Sequence, residues 1–411
     1  MIREFLANSG RETGGTAASM AESEAPTAIP HVPALDGLRG IAILLVVIHH
    51  FGTAAHFGAA GAIGRFVERV CYAGWAGVDL FFVLSGFLIT SILIASKDRP
   101  GYFTSFYGRR VLRIFPLYFG TLIVGLLIVP LAWSLPPAFT ERGDNAVWLW
   151  TYTSNIALAL GLVTTFGVFD MYWTLAIEEQ FYLVWPYLVR VTRTRTLVLV
   201  CVTFIGVALA GRGFWIAEGA AWTAPYRFTL TRMDSLAMGA LVAVIARSHA
   251  EDLHVQRVVR LMLLSGLAIL GVMLAAIDPF YPSSTVVITI GHSLLAALSG
   301  CVVFLLVSRS GGLFASTLVA PWLRVVGQIS YGVYVWHWPL RLAFDGVYSG
   351  LGAAATASGQ LFRATMFLVL GLAGSLLLGW LSYHLFEKHF LRLKRRFAYS
   401  PQQSRVTQPA A

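Results

Sequence analysis

The segment 35-LDGLRGIAILLVVIHHF-51 has the length and apolar character of a membrane helix, yet it carries Asp36, Arg39, His49 and His50. Eleven steps at about 100° per residue bring His50 to within about 20° of Arg39 on the helix wheel and about 16 Å further along the axis. Asp36 shares that stripe, whereas His49 points away from it. Ionisable groups inside a bilayer are costly and normally face a protein interior or a water-filled cavity, so the stripe is a functional-site candidate. The alternative is an ion pair of Asp36 with Arg39 at the membrane edge, accompanied by an interfacial histidine.

The rest of the chain supports a membrane setting. Of 411 residues, 57% are hydrophobic and only 12% are charged, against about 25% charged in soluble domains. The expected fold is all-α, a polytopic transmembrane helical bundle. The formal charge of +10 sits in short basic clusters between apolar runs, where the positive-inside rule explains it without a nucleic-acid partner. Cys71, Cys201 and Cys301 have none of the paired spacings of a disulfide framework or zinc site, and no metal is expected. Residues 1–33 lack sustained apolar periodicity and do not resemble a secretory signal. They are expected to form a disordered cytoplasmic tail, with the transmembrane domain at 34–393 and a basic, then disordered, cytoplasmic tail at 394–411.

Ten spans are expected, near 38–54, 74–96, 110–133, 173–191, 196–213, 226–247, 260–277, 285–308, 325–345 and 361–390. An eleventh apolar stretch at Ala146–Val163 would throw the later arginine clusters onto the opposite face if it crossed the membrane. It therefore reads as a re-entrant or interfacial segment, which leaves both termini cytoplasmic.

Several further groups could do chemistry. Arg109, Arg110 and Arg113 open the third span at spacings that allow one cationic face. Such a face suits the phosphates of a nucleotide-like cosubstrate, or plain anchoring at the cytoplasmic boundary. Glu178 and Glu179 stand in the aromatic-rich run YWTLAIEEQFYLVWP, where one could steer a histidine or bind an acceptor hydroxyl, or pair with an arginine such as Arg232. Adjacent helical residues diverge, so only one of the two is expected to face the interior. Asp79 could orient His50 or satisfy free amides at a helix start. Ser85 could carry an acyl group or bond to a neighbouring helix. Arg232, Asp234 and His337 are further in-span ionisable groups, His337 reading as interfacial.

Taken together these stretches resemble the membrane acyltransferase 3 family of bacterial O-acyltransferases, over about Leu35–Phe390. The resemblance rests on LDGLRGIAILLVVIHHF, GVDLFFVLSGFLIT (Gly77–Thr90), FYGRRVLRIFPLY (Phe106–Tyr118), Ser154-Asn155, TLAIEEQFYLVWP (Thr174–Pro186), RMDSLAMGA (Arg232–Ala240) and ISYGVYVWHWPL (Ile329–Leu340). It implies that His50, which follows Arg39 after ten intervening residues, is the catalytic histidine and that Arg110 and Arg113 form the family's arginine pair. Glu178 and Glu179 match its acidic motif. Met171-Tyr172-Trp173-Thr174 departs from the His-Thr-Trp-Ser frequent in the family. Some relatives carry an extracytoplasmic hydrolase-like domain, and nothing after Phe390 is expected to encode one, so either direct transfer or a separate extracytoplasmic partner is expected.

The resulting expectation is a multi-pass enzyme of the bacterial cytoplasmic membrane that moves an acyl group from acyl-CoA, acetyl-CoA above all, to a hydroxyl of a carbohydrate or glycoconjugate. His50 would act as general base, or carry the acyl group transiently. Asp36 would hold Arg39, and Arg110 and Arg113, with Arg109 beside them, would bind the cosubstrate. The rival is a secondary transporter or exporter of a lipid-linked glycan or small metabolite.

Overall fold

The computed structural model describes residues 32–128, 145–276, 281, 283–308, 312–350, 352 and 354–399. Of the expected tails, at 1–33 and 394–411, residues 1–31 and 400–411 lie outside them. Within the described residues the chain is helical and contains no strand. Helix α1 is Pro33–Ala54, α2 Gly61–Tyr72, α3 Ala76–Ser96, α4 Tyr102–Ile123, α5 Ala146–Trp150, α6 Ser154–Ala159, α7 Tyr172–Val191, α8 Thr194–Ala217 and α9 Thr223–Arg227. They are followed by α10 Thr229–His249, α11 Leu253–Ala276, α12 His292–Val307, α13 Gly312–Leu318, α14 Pro321–Gln328, α15 Ser330–Gly350, α16 Ala357–Ser382 and α17 Lys388–Arg392.

Ten of these, α1, α3, α4, α7, α8, α10, α11, α12, α15 and α16, overlap the ten expected spans, of which residues 129–133 and 277 lie outside the described residues. Eight stretches containing them are long and apolar enough to cross a bilayer by composition alone. The other two, α7 and α15, have 20 and 21 residues, about 30 Å at 1.5 Å per residue. Their in-helix charges lower their hydropathy. Glu178, Glu179 and His337 turn toward the bundle and Arg190 and Asp345 are more exposed, while α8 and α11 present apolar side chains outward, including Leu199 at 64% and Val272 at 67% exposure.

Two short helices replace a crossing at Ala146–Val163. α5 and α6 have five and six residues, far short of the roughly 20 a span needs. Tyr152, between them, takes a positive φ of 55° and stacks on Tyr118 at 4.2 Å. The ninth span also differs from expectation: α14 ends at Gln328 and α15 begins at Ser330, so one continuous helix over 325–345 is broken at Ile329. At 394–397, where a basic tail was expected, the turn Leu393–Phe397 continues the helical run and lays Phe397 on Gly108. α2 is amphipathic, with Ile63 and Phe66 exposed beside Arg65 and Glu68, the pattern of a helix lying in a membrane interface.

Close helix contact organises the centre. A Cβ on Gly86 of α3 would strike the carbonyl oxygen of Leu236 in α10, and one on Gly239 of α10 would strike the carbonyl oxygen of Val83 in α3. The two backbones therefore meet across reciprocal glycines, the small-residue packing that membrane helices use in place of a hydrophobic drive.

The ends of the bundle are defined by cross-links. Lys97 Nζ donates to the Thr192 carbonyl at 2.5 Å, and Arg190 reaches Asp98 at 3.4 Å. Arg109 lies over Tyr399 at 5.8 Å, so the start of α4, the α7–α8 turn and the end of the described chain share one end. At the other end, Tyr348 OH donates to the Ala55 carbonyl at 2.8 Å.

Candidate active site

Three cavities lie in sequence along α1. The central one, about 800 Å³, is lined by Arg39 of α1, Arg110 and Arg113 of α4, Ser85 of α3, Glu178 of α7 and Tyr331 and Tyr334 of α15. Three guanidinium groups thus face one carboxylate. Arg110 sits over the Tyr182 ring at 3.7 Å, a cation–π contact that fixes its direction. Ser85 Oγ donates to Glu178 Oε1 at 2.6 Å, which makes Ser85 a partner of the carboxylate on a neighbouring helix.

The expected three-arginine face is divided. Arg110 and Arg113 turn into the cavity, while Arg109 is exposed and meets Tyr399. Of the two adjacent glutamates, Glu178 lines the cavity, while Glu179 turns elsewhere with Oε1 buried and without a hydrogen-bond partner among the described residues. Glu178 keeps company with the arginines; it does not line the pocket that contains His50, where the acceptor-side reading had put it. A lower cavity of about 500 Å³ joins Asp36, Arg39 and Arg113 to Glu387, so Asp36 and Arg39 do share a surface.

His50 lies in the third cavity, about 640 Å³, whose wall also includes His49, Trp75, Trp173, Trp222, Tyr226 and Arg227. Val78, Thr174 and Tyr334 line both this pocket and the central one. They form the partition between the arginines and His50. Tyr334 is pinned there, its OH donating to the Met171 carbonyl at 2.9 Å with Thr174 Oγ1 at 2.5 Å.

Hydrogen bonding fixes the tautomers. His337 Nδ1–H donates to the Tyr334 carbonyl at 2.5 Å, because a carbonyl can only accept. In a neutral His337 the Nε2 is then an acceptor, and it lies 3.1 Å from His50 Nδ1. His50 must supply that proton from Nδ1, which leaves its Nε2 with an unshared pair. Trp338 packs edge-on against the His50 ring at 5.1 Å and is anchored by Nε1 donating to the Gly167 carbonyl at 2.9 Å. His49 donates through Nδ1 to the Tyr72 carbonyl at 3.0 Å, so the adjacent histidines have different partners.

His337 is therefore buried beside His50. It is not the interfacial residue suggested by its aromatic neighbours. The signal available in sequence was the step of three from Tyr334 to His337, one helical turn, which lets the ring reach back to that carbonyl.

Asp79 neither touches His50 nor serves as a free helix-start carboxylate. It is fully buried, with Arg232 Nη2 3.0 Å away, His292 Nδ1 at 3.0 Å and Ser235 Oγ donating at 2.8 Å. Arg232 is paired by proximity, since its nitrogens lack hydrogen-bond alignment. It is consequently not the partner of Glu178 or Glu179. Two residues along, Asp234 meets Arg212 at 2.9 Å, and Arg212 also donates to Ser293 Oγ at 2.6 Å and the Thr231 carbonyl at 2.5 Å. α3, α8, α10 and α12 are thereby tied by one buried ionic network, with His292 and Arg212 the members that sequence reasoning missed.

Asn155 explains the Ser154-Asn155 motif. Its Nδ2 donates to the Arg227 carbonyl at 3.1 Å and to Thr229 Oγ1 at 2.8 Å, while its Oδ1 accepts from Gln180 at 2.9 Å. The motif holds the segment bearing Tyr226 and Arg227 against α7.

Helical bundles that keep ionised groups at membrane depth are found among transporters and membrane-embedded enzymes. Sequence comparison puts this chain in the second class. It belongs to the acyltransferase 3 family, residues 32–384 matching that family's acyltransferase domain. Among curated proteins it is similar to the peptidoglycan O-acetyltransferase OatA of Listeria monocytogenes, 27% identical over 75% of this chain and 49% of that protein. The O-acetyltransferase OatA of Staphylococcus aureus is 27% identical over 77% of this chain and 52% of its own length. The putative peptidoglycan O-acetyltransferase YrhL of Bacillus subtilis is 27% identical over 75% and 48%. The chain spans about half the length of these relatives. No solved structure matches it.

Proposed function

We propose that the protein is an O-acyltransferase of the bacterial cytoplasmic membrane that moves an acetyl group from acetyl-CoA to a hydroxyl of a carbohydrate, with His50 as general base. The observation that carries this reading is the His50–His337 pair, which leaves a basic nitrogen on the far side of a thin partition from a cationic cavity.

The end of the bundle bearing Lys97, Arg109, Arg190 and the 393–399 segment is the more basic one, which by the positive-inside rule faces the cytoplasm along with both termini. Acetyl-CoA enters there. Its phosphates pair with Arg39, Arg110 and Arg113, whose guanidinium groups match phosphate oxygens in charge and geometry, and Glu178 holds the cluster against mutual repulsion. The thioester extends past Tyr334 and Thr174 toward His50. The distance along α1 from Arg39 to His50, about 16 Å for eleven residues, suits a long cosubstrate with its charge at one end and its reactive carbon at the other.

The acceptor sits in the outer pocket. As its hydroxyl oxygen attacks the thioester carbonyl, the proton passes to His50 Nε2. Collapse of the tetrahedral intermediate breaks the C–S bond, and the imidazolium returns the proton to the departing CoA thiolate. His337 keeps His50 in the tautomer required at the start and accepts the same hydrogen bond from the imidazolium. Trp75, Trp173, Trp222 and Tyr226 give the pocket faces on which a sugar ring can lie. The names of the relatives agree with a carbohydrate acceptor.

The test is acetyl-CoA consumption by purified protein in proteoliposomes supplied with saccharide acceptors. His50→Ala should abolish acetyl transfer while the protein remains monodisperse, and undiminished transfer by that variant would sink the reading. Saccharide movement across the membrane without acetyl-CoA consumption would favour an exporter instead.

A further inference from the structure

Arg227 has no part in the transfer chemistry, yet it lies in the wall of the His50 pocket. Its Nε is buried without a hydrogen-bond partner among the described residues. No carboxylate lines the same pocket. The nearby acid Asp79 is already engaged by Arg232, His292 and Ser235. A guanidinium partly withdrawn from water with no ion-pair partner among the described residues is costly, and an anion brought by a ligand would offset that cost.

The position is also built. The Arg227 carbonyl is held by Asn155, and the next turn is locked by Thr229 donating to Gln180 Oε1 at 2.5 Å. The backbone carrying the guanidinium is thus fixed against α7. Beside it the Tyr226 ring lies 5.1 Å from Trp173 and 5.6 Å from Trp222. Aromatic rings carry negative potential on their faces, and the axial C–H bonds of a pyranose present weakly positive hydrogens to such faces. Aromatic walls for the ring and one fixed cation at its edge define a chemical class of ligand.

We propose that the outer pocket selects a saccharide bearing a negative charge, with Arg227 pairing to its carboxylate or phosphate while the ring lies against the tryptophans. This rests on the reading of the outer pocket as the acceptor side. The charge pairing acts in ground-state recognition, so Arg227 is a specificity residue and not a catalytic one.

The experiment uses the full chain in nanodiscs, titrated with methyl glucoside, methyl glucuronide and glucose 1-phosphate, and followed by tryptophan fluorescence. The expected result is that at least one anionic sugar binds about tenfold tighter than methyl glucoside or better, the range of a charge-assisted hydrogen bond. The identity of that sugar tells carboxylate from phosphate. In Arg227→Gln the ratio of anionic to neutral affinity should fall to about one, and Arg227→Lys should restore part of it. Equal affinities in the wild type, no binding of any of the three, or a preference that survives Arg227→Gln overturns the inference. Acetyl-CoA consumption by wild type and His50→Ala in the same preparations separates the two levels. Loss of consumption without charge preference leaves the transfer reading standing and removes this one. Charge preference with undiminished consumption in His50→Ala does the reverse.

Discussion

His337 Nε2 lies 3.1 Å from His50 Nδ1, and His337 Nδ1 is itself committed to the Tyr334 carbonyl. The chain of two hydrogen bonds fixes which nitrogen of His50 is free, much as a carboxylate does in hydrolytic triads. Here the orienting group is a neutral imidazole backed by a main-chain carbonyl. That choice avoids burying a carboxylate in the bilayer, where an unpaired charge is expensive.

His337→Ala should lower kcat for acetyl transfer by about 100-fold, within the range ascribed to a positioned acid–base group, with little change in the KM for acetyl-CoA. His337→Gln, whose amide oxygen can accept from His50 Nδ1–H, should recover part of the loss. Because the base works only when neutral, rate falls as pH drops through the titration of His50, and the position of that acid limb should move in His337→Ala. Equal activity of the Gln and Ala variants with an unmoved limb would reduce His337 to a packing residue.

The arginines separate by direction. Arg110→Ala and Arg113→Ala should each raise the KM for acetyl-CoA by about 10- to 100-fold, as expected for losing a hydrogen bond to a charged group worth about 1.5–3 kcal/mol. Arg109→Ala should alter it by about twofold or less, since Arg109 is exposed and meets Tyr399 and exposed charges contribute little. Steady-state kinetics over a range of acetyl-CoA concentrations decides it. An effect of Arg109→Ala equal to that of Arg113→Ala would refute the division of the cluster.

Removing one member of the buried network should be severe. Asp79→Asn leaves Arg232 and Asp234→Asn leaves Arg212 without its ion-pair partner at a site fully withdrawn from solvent, and breaking a buried pair from one side costs about 3–5 kcal/mol. Ser235→Ala removes one neutral donor to Asp79 and should cost about 1–2 kcal/mol. Thermal unfolding in detergent should place both aspartate variants below Ser235→Ala. A melting temperature for Asp79→Asn equal to wild type would mean that the network contributes nothing to stability.

Much of this was legible in the chain because the bilayer simplifies the code. Apolar length accounts for eight of the ten spans, and the eleven-residue step put His50 and Arg39 on one stripe. The charge pattern excluded a crossing at 146–163, where Tyr152 turns the backbone instead. Partners across helices were less accessible. Nothing local to GVDLFF indicates that Asp79 will meet His292, 213 residues away, and YWTLAIEEQ does not reveal that Glu178 will join the arginines. His337 shows the boundary between the two. Its one-turn relation to Tyr334 is local, but its bond to His50 spans 287 residues and depends on how α15 packs against α1. The Gly86 and Gly239 contact is intermediate, since small residues mark a close approach without naming the partner.

That contact yields a last prediction. The α3 and α10 backbones approach so closely that a Cβ at Gly86 would meet the Leu236 carbonyl and one at Gly239 would meet the Val83 carbonyl. Neither obstacle is a flexible side chain, so relief requires the helices to move apart, and overpacking of this kind costs about 1–3 kcal/mol. Gly86→Ala and Gly239→Ala should each lower the melting temperature. Because either substitution separates the same two helices, the double variant should lose less than the sum of the single losses. The separation would also loosen Asp79 from Ser235, which bridge the same pair of helices. Strict additivity in a double-mutant cycle on thermal stability would show that the two glycines act independently, contrary to the reciprocal contact.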